Sequence, residues 1–239
     1  MSQPHTIVQT CDELRHQPEE FQEACRKLVV SHAINELHGA RVFDEPAVAL
    51  APTPYAKWLC CRVAMEEYGH HVRFFELGRE MGVPAEAMIP GATEKPPLSI
   101  FDFKLKTWEE FCVIKMLGDL GEILQVEDLV QASFIPLRNL ARMTMPEERF
   151  HAAFGEDFCT ELVATPEGRA RVQDAINRIF PTLPAFFGRP KSKNNAMYRK
   201  WGLKVRTNEE MRLDYVERAR RVVEDKLRLK LPKVDALAA

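Results

Sequence analysis

Long hydrophobic runs, a strong charge of one sign and paired cysteines are all missing from this 239-residue sequence. No stretch approaches the ~18 apolar residues that a membrane-spanning helix requires, and no basic segment followed by an apolar run opens the chain. We therefore predict a cytoplasmic protein without a membrane partner. The formal net charge is only −2, which argues against a general nucleic-acid-binding protein, so we predict no nucleic-acid partner.

The cysteines do not form a disulfide or metal-binding pattern. They contain no CxxC pair, they lack the spacing of a small secreted domain, and two of them are adjacent. We predict that all six are reduced thiols. They are Cys11, Cys25, Cys60, Cys61, Cys112 and Cys159.

Alternating apolar and polar residues, which are typical of β-strands, are also missing, whereas apolar residues recur every three or four positions. The sequence therefore predicts an all-α protein, with one core and a single domain over residues 1–239. Four long helices are predicted over 19–43, 54–82, 107–131 and 135–165. Pro136 and Pro146 favour a late start or a kink in the last of these.

The remaining segments complete the predicted architecture. A proline-rich connection over 83–106 is long enough to be a crossover between the second and third helices. The layout predicts a four-helix bundle with a crossover connection, about 19–165, followed by additional C-terminal helices, about 166–232. Capping residues predict helices that begin at Thr165 and at Thr207, with an irregular chain between them.

Two Glu-x-x-His pairs lie on the second and fourth long helices. They are Glu67 with His70 and Glu148 with His151. This spacing puts a carboxylate and an imidazole one turn apart on one helix face, as metal-binding bundles require. The spacing alone is weak, because Glu13 and His16 show it in a polar N-terminal stretch.

Each of the two bundle pairs interrupts an apolar stripe of its helix. The second helix carries Cys60, Val63, Glu67, His70, Phe74 and Leu77 at steps of three and four. The fourth helix carries Ala141, Met145, Glu148, His151, Gly155 and Phe158 in the same way. Buried unpaired carboxylates cost several kcal/mol, so these inward-facing acids indicate a bound cation.

The first and third long helices offer further acids. Glu36 interrupts an apolar seam and precedes Glu67 by 31 residues, while Asp119 precedes Glu148 by 29 and Glu122 precedes it by 26. The spacing from Asp119 to Glu148 is closer to the spacing from Glu36 to Glu67, and Asp119 lies on the more apolar stripe of its helix. Glu122 is therefore the second choice as a metal ligand, or a residue that contacts a ligand from outside the site. The predicted metal ligands are Glu36, Glu67, His70, Asp119, Glu148 and His151.

Four carboxylates and two imidazoles suit two iron or manganese ions with open positions. The carboxylates are therefore candidate catalytic residues as well as ligands. Oxygen activation follows as a hypothesis.

With these motifs the sequence resembles the phenylacetic acid catabolic family of ferritin-like proteins. The resemblance runs from about Arg26 to Pro232. Its segments are HAINELHG around Glu36, AMEEYGHH around Glu67 and His70, VIKMLGDLGE around Asp119, EERFH around Glu148 and His151, QDAINR at 173–178 and FFG at 186–188. The family also contains a protein that has lost its ligands, whereas this chain resembles the catalytic type.

The resemblance implies a ferritin-like bundle and a di-iron monooxygenase, an epoxidase or hydroxylase, with the same six ligands. It implies two iron ions, O2 as co-substrate, a reductase that delivers electrons, and an aromatic or unsaturated CoA thioester such as phenylacetyl-CoA as substrate. We expect a homo- or hetero-oligomer that pairs with a related ferritin-like subunit. Two alternatives stay open: a ferroxidase-type iron-binding protein, and a non-catalytic partner subunit of such an oxygenase.

The sequence departs from the family pattern at several positions. The family has a lysine one turn before the acid that matches Glu67, and this chain has Val63 there, so we expect that a positive charge beside the metals is lost. Pro146, two residues before Glu148, is expected to kink its helix. A window of basic residues over 189–206 contains no acid and is interpreted as a solvated loop or as a site for CoA phosphates.

Overall fold

The protein is almost entirely helical. Its structure, a computed structural model, describes residues 5–89, 91 and 98–233, and no β-strand occurs among them apart from an isolated bridge between Val8 and Phe134. The predicted all-α class is therefore confirmed. Within those ranges, no helix is both long and apolar enough to cross a membrane.

The helices follow one another along the chain with short connections, except after α4 and after α7. They are α1 (Cys11–Arg15), α2 (Glu19–Gly39), α3 (Glu45–Leu50), α4 (Pro54–Glu80), α5 (Trp108–Leu129), α6 (Ile135–Leu162), α7 (Pro166–Ile179), α8 (Lys193–Lys200) and α9 (Asn208–Arg220). The crossover between α4 and α5 contains 3₁₀ turns at Ala85–Met88 and Ser99–Asp102. Pro90, Pro96 and Pro97, on which part of that prediction depended, lie outside the described residues.

Helices α2, α4, α5 and α6 form a ferritin-like four-helix bundle, as predicted. Helix α2 packs on α4, α5 packs on α6, and α4 also contacts α6. The capping residues begin the helices where the sequence predicted. Thr53 and Thr165 each accept a hydrogen bond from a backbone N–H of the first turn, while Thr107 and Thr207 form complete capping boxes with Glu110 and Glu210.

Two expectations about irregular chain are wrong: a late start of the fourth long helix and an irregular segment before Thr207. Helix α6 begins at Ile135 with Pro136 in its first turn, where a missing N–H leaves no hydrogen bond unmade. It continues through Pro146 to Leu162, and the kink expected at Pro146 stays a prediction. The segment after Phe180 was expected to stay irregular as far as Thr207, but it contains a 3₁₀ segment (Phe180–Phe187) and α8.

The bundle centre lies between two apolar clusters. On α4, Val63 belongs to one cluster and Phe74 to the other, with Glu67 and His70 between them. Helix α6 repeats this with Phe154 and Met145 on either side of its acid and imidazole. The polar residues at mid-height are therefore held in place by apolar packing on both sides.

Candidate metal centre

The six predicted ligands meet in one buried cluster at mid-height of the bundle. They form two groups, Glu36, Glu67, His70 and Glu148, and Glu67, Asp119, Glu148 and His151. Within each group the ligand atoms lie within 4.8 Å of one another, and every side chain is buried. Because Glu67 and Glu148 belong to both groups, the arrangement could hold two cations side by side. We name the groups the His70 half and the His151 half.

A close helix contact sets the position of His151. Gly155, one turn later on α6, lies against the backbone of α5, and a Cβ atom there would be 2.2 Å from the nitrogen of Met116 and 2.6 Å from the oxygen of Cys112. Only glycine permits this approach. The approach brings His151 opposite Asp119, with 3.8 Å between His151 Nδ1 and Asp119 Oδ2.

The two imidazoles are oriented by carboxylates from the opposite helix. His70 Nε2 on α4 hydrogen-bonds Glu147 Oε2 on α6 over 2.9 Å, and His151 Nε2 on α6 hydrogen-bonds Glu66 Oε2 on α4 over 2.8 Å. An imidazole that donates from Nε2 presents its Nδ1 lone pair to the centre. Sequence reasoning missed Glu66 and Glu147, although each of them directly precedes the Glu of a Glu-x-x-His pair.

Arginines on α4 hold these outer carboxylates in turn. Arg73 donates to Glu147, with 2.9 Å between its second terminal nitrogen and Oε1, and Arg62 Nε donates to Glu66 Oε1 over 2.9 Å. Burial acts to raise the pKa of Glu147, but its hydrogen bonds to His70 and Arg73 outweigh burial and hold the pKa down to about 2. Each imidazole is thus fixed by a charged carboxylate and arginine pair.

The donor atoms at the centre fit metal ions. His70 Nδ1 lies 3.1 Å from Glu148 Oε1, and His151 Nδ1 lies 3.1 Å from Glu67 Oε1. Both Nδ1 atoms and both oxygens of Glu148 are buried and make no hydrogen bond with any described residue. Acceptor atoms that face one another in a buried site need a cation between them. Carboxylate and imidazole donors in this mixture suit iron or manganese.

The electrostatics of the centre reflect crowded negative charge. Burial raises the pKa of Glu36 to about 7. Burial acts in the same direction on Glu67, but the Lys115 ammonium and the imidazoles outweigh it and hold the pKa of Glu67 well below its usual range. Burial disfavours the imidazolium form of His151, yet the surrounding carboxylates outweigh it and raise the pKa of His151 to about 10. A divalent cation would offset the same repulsion.

A positive charge does lie beside the centre, so the expectation drawn from Val63 is wrong. Lys115, buried on α5, donates from Nζ to Glu67 Oε1 over 2.5 Å and lies 2.8 Å from Asp119 Oδ2 and 3.3 Å from Asp44 Oδ1. Sequence reasoning missed it because a lysine is rarely buried without partners, and two of its three partners, Glu67 and Asp44, come from other helices. Its position one turn before Asp119 was the available signal.

Asp44 is another residue that sequence reasoning missed. It ends a π-helical turn, Ala40–Asp44, that continues α2, and it is 2% exposed. The sequence suggested only that α2 stops near this position. Burial raises the pKa of Asp44 to about 7 although Lys115 opposes the shift.

The structure brings Asp119, and not Glu122, into the two halves. Glu122 lies instead with His32 and Glu36 in a third group at one edge of the centre. Burial lowers the pKa of His32 to about 3, and its ring stacks on Phe74 with 4.8 Å between the centroids. His71, which is also buried near the centre, hydrogen-bonds the backbone oxygen of Ala33 rather than a carboxylate.

Two cavities adjoin the centre. An inner cavity of about 50 Å³ touches Glu36, Glu67 and Asp119. Its apolar wall consists of Phe43, Ile100, Phe101, Ile114, Leu183 and Phe186. An outer, polar cavity of about 280 Å³ shares Glu122 and Phe186 with it. The pair could admit a molecule with an apolar end and a polar remainder.

The basic window of the sequence is not a solvated loop throughout. Lys204 is buried and donates from Nζ to Gln125 Oε1 over 2.5 Å, while Arg206 donates from Nε to Asp128 Oδ1 over 2.6 Å. The exposed basic residues lie just before α8 or on it. Arg189 and Lys191, before the helix, are close in sequence to Ser192, which lines the polar cavity.

Comparison with known proteins identifies the family. A sequence model described as "Phenylacetic acid catabolic protein" matches residues 7–239. This chain belongs to the phenylacetic acid catabolic protein family. The resemblance found in the sequence motifs is therefore confirmed. The family match includes all six candidate ligands.

Two curated relatives are similar over most of the chain. One is a subunit of the 1,2-phenylacetyl-CoA epoxidase of Escherichia coli (strain K12). It is 26% identical to this chain over 207 residues, which cover 84% of this chain and 66% of the relative. The benzoyl-CoA oxygenase component B of Aromatoleum evansii is 25% identical over 225 residues, which cover 81% of this chain and 47% of the relative. The chain thus spans at most about two thirds of the length of either relative.

Proposed function

We propose that this chain is a di-iron monooxygenase component that inserts one oxygen atom of O2 into an aromatic or unsaturated CoA thioester. The observation that carries this proposal is the pair of buried halves that share Glu67 and Glu148. Both of the named relatives are components of enzymes that are named for aromatic CoA thioesters, which supports the substrate class.

The residues of the centre have distinct roles in this proposal. Four carboxylates supply four negative charges, which balance the four positive charges of two ferrous ions. They are Glu36, Glu67, Asp119 and Glu148, and the two histidines complete the ligand set. Two iron ions held there would supply the redox chemistry that activates O2. The outer carboxylates keep the Nε2 protons of both histidines away from the centre, so that Nδ1 stays available as a ligand.

The inner cavity is the proposed site of the aromatic or unsaturated group, and it would have to widen on binding, because its volume of about 50 Å³ is smaller than the ~150 Å³ of a cavity that holds a benzene ring. Its aromatic and aliphatic wall favours an apolar group beside the carboxylates. The polar cavity would accept the remainder of the thioester. Exposed Arg189, Lys191 and Lys193 beside that cavity are candidates for the CoA phosphates.

The reaction needs an external source of electrons. One atom of O2 enters the substrate, and the other leaves as water after the addition of two electrons and two protons. We therefore propose a reductase as a partner, together with a related ferritin-like protein in a homo- or hetero-oligomer. The names of both relatives describe parts of a larger enzyme, which supports a multicomponent assembly.

A single-turnover experiment tests the proposal. The protein is loaded with Fe(II) without oxygen, which removes the need for a reductase, and is then mixed with ¹⁸O2 and either phenylacetyl-CoA or benzoyl-CoA. We expect a product that carries one ¹⁸O atom by mass spectrometry. Glu148→Ala should give neither product nor bound iron, because it removes a residue that both halves share.

The third Glu-x-x-His pair of the chain provides a matched control. His16 is exposed and lies outside the bundle, so His16→Ala should retain iron and product. Consumption of O2 by the iron-loaded protein without an oxygenated product would support the ferroxidase alternative instead. A folded wild-type protein that binds no iron would support the alternative of a non-catalytic partner.

A further inference from the structure

The two halves of the centre differ in one side chain. The residue one turn before Asp119 on α5 is Lys115, whose ammonium group contacts two ligands of the His151 half. The residue one turn before Glu36 on α2 is His32. Its Nδ1 is 4.0 Å from Glu36 Oε1, beyond hydrogen-bonding distance, and its ring packs on Phe74. Among the described residues, Lys115 therefore contacts two ligands of the His151 half, Glu67 and Asp119, but only the shared Glu67 of the His70 half.

This ammonium group contacts carboxylate oxygens that a metal ion in the His151 half would also need. Glu67 Oε1 accepts a hydrogen bond from Lys115 Nζ over 2.5 Å and also lies 3.1 Å from His151 Nδ1. Asp119 Oδ2 lies 2.8 Å from the same Nζ atom. Lys115 thus contacts two of the four ligands of the His151 half. It contacts one ligand of the His70 half, the shared Glu67.

A third carboxylate lies close enough to pair with the ammonium group. Asp44 Oδ1 lies 3.3 Å from Lys115 Nζ, is buried, and makes no hydrogen bond with any residue that the structure describes. Asp44 belongs to neither half. A small movement of the lysine tip towards Asp44 would free Glu67 and Asp119 and still leave the ammonium group paired.

We propose that Lys115 competes with a divalent cation for Glu67 and Asp119, that Asp44 accepts the ammonium group when the cation binds, and that the halves therefore load in a fixed order, the His70 half first. Resting on the proposed function, this inference adds an order of loading and assigns two positioning residues. Repulsion between an ammonium group and a divalent ion weakens binding at the nearer position more strongly than at the farther one.

Titration with Mn(II) alone, followed by the EPR signal of the free ion, tests the proposal without any turnover. The wild-type protein should show two classes of site that differ at least about tenfold in affinity. Lys115→Met should tighten the weaker class by about tenfold or more and leave the stronger class within about threefold. Asp44→Asn should weaken the weaker class further, because the displaced ammonium group then lacks a charged partner.

Lys204→Met is the matched control, since Lys204 is also a buried lysine but contacts Gln125 and lies outside both halves. It should leave both classes unchanged. Two equal classes in the wild-type protein, or a weaker class that Lys115→Met does not tighten, would overturn the inference while the di-iron proposal stands. If Lys115→Met does not fold, an unchanged weaker class in Asp44→Asn overturns it. A wild-type protein that binds no Mn(II) or Fe(II) would overturn both proposals.

Discussion

Replacement of Gly155 by alanine tests how the contact between α5 and α6 builds the centre. The added Cβ atom would lie 2.2 Å from the nitrogen of Met116, 2.6 Å from the oxygen of Cys112 and 2.8 Å from the carbonyl carbon of Lys115. All three are backbone atoms, so no side-chain rotation relieves the overlap. The two helices must separate by about 1 Å at this point.

The expected loss of stability follows from two opposing effects. Overpacking against a rigid neighbour costs about 3 kcal/mol, at the upper end of the usual range. Alanine favours a helix over glycine by about 1 kcal/mol, which leaves a net loss of about 2 kcal/mol. For a chain of this size that loss lowers Tm by about 4–8 °C.

The same displacement should also damage the candidate site. His151 lies one turn before Gly155, so a shift of α6 moves its Nδ1 atom away from Glu67 and Asp119. A ligand displaced on this scale should weaken Mn(II) binding by roughly tenfold. Thermal melts followed by circular dichroism and Mn(II) titration measure the two effects separately.

Gly69→Ala is the matched control on α4. Its Cβ atom would meet only the side chain of Arg73, at an ordinary distance of 3.7 Å. It should therefore keep or slightly raise Tm and leave metal binding intact. If Gly155→Ala melted like Gly69→Ala and bound Mn(II) as tightly as the wild type, the proposed role of the α5–α6 contact would be refuted.

Three further predictions concern the outer carboxylates, pH and the thiols. Glu66→Gln should weaken Mn(II) binding by about 10–100-fold, because His151 Nε2 loses its charged partner; an unchanged titration curve would contradict this role. The pKa of Glu36 is raised to about 7 and that of His151 to about 10, so metal binding must displace protons from both residues. The affinity for Mn(II) should therefore rise with pH over about 6–9. Equal affinity at both ends of that range would count against the proposed ligands. Ellman's reagent should modify only Cys61 quickly in the native protein and all six thiols after denaturation. The other five thiols are buried, and burial raises the pKa of thiols such as Cys25 and Cys159. Fast reaction of any thiol in a Cys61→Ser variant would contradict this burial.

Periodicity was sufficient to predict the bundle and the inward direction of its acids. Glu67, His70, Glu148 and His151 occupy positions where a helix facing a core carries apolar residues, so each one is visible as an interruption. Capping chemistry is equally local, and it predicted the starts of α7 and α9.

Lys115 and Asp44 could not be predicted in this way. A lysine on an amphipathic helix is normally solvated, and Lys115 is buried because three carboxylates from different parts of the chain surround it. Asp44 reaches the centre through a π-helical turn, whereas the prolines that follow it suggested only the end of a helix. Both depend on tertiary contacts, and the one local signal, the spacing of Lys115 one turn before Asp119, does not indicate burial.

The irregular segments were difficult for a related reason. Pro136 was expected to delay α6, but a proline is compatible with the first turn and only the structure shows which turn it occupies. Helix α8 is short and highly charged, so it lacks the apolar stripe by which helices are recognised, and Ser192 caps it through a hydrogen bond from the N–H of Asn195.

The iron content of the purified chain tests the central claim most directly. Wild-type protein and Glu148→Ala are loaded with Fe(II) without oxygen, desalted and measured by elemental analysis, with circular dichroism to show that both are folded. The account predicts two iron ions per wild-type chain and loss of iron in the variant, because Glu148 belongs to both halves. Folded wild-type protein without iron, or a variant that keeps both ions, would contradict it.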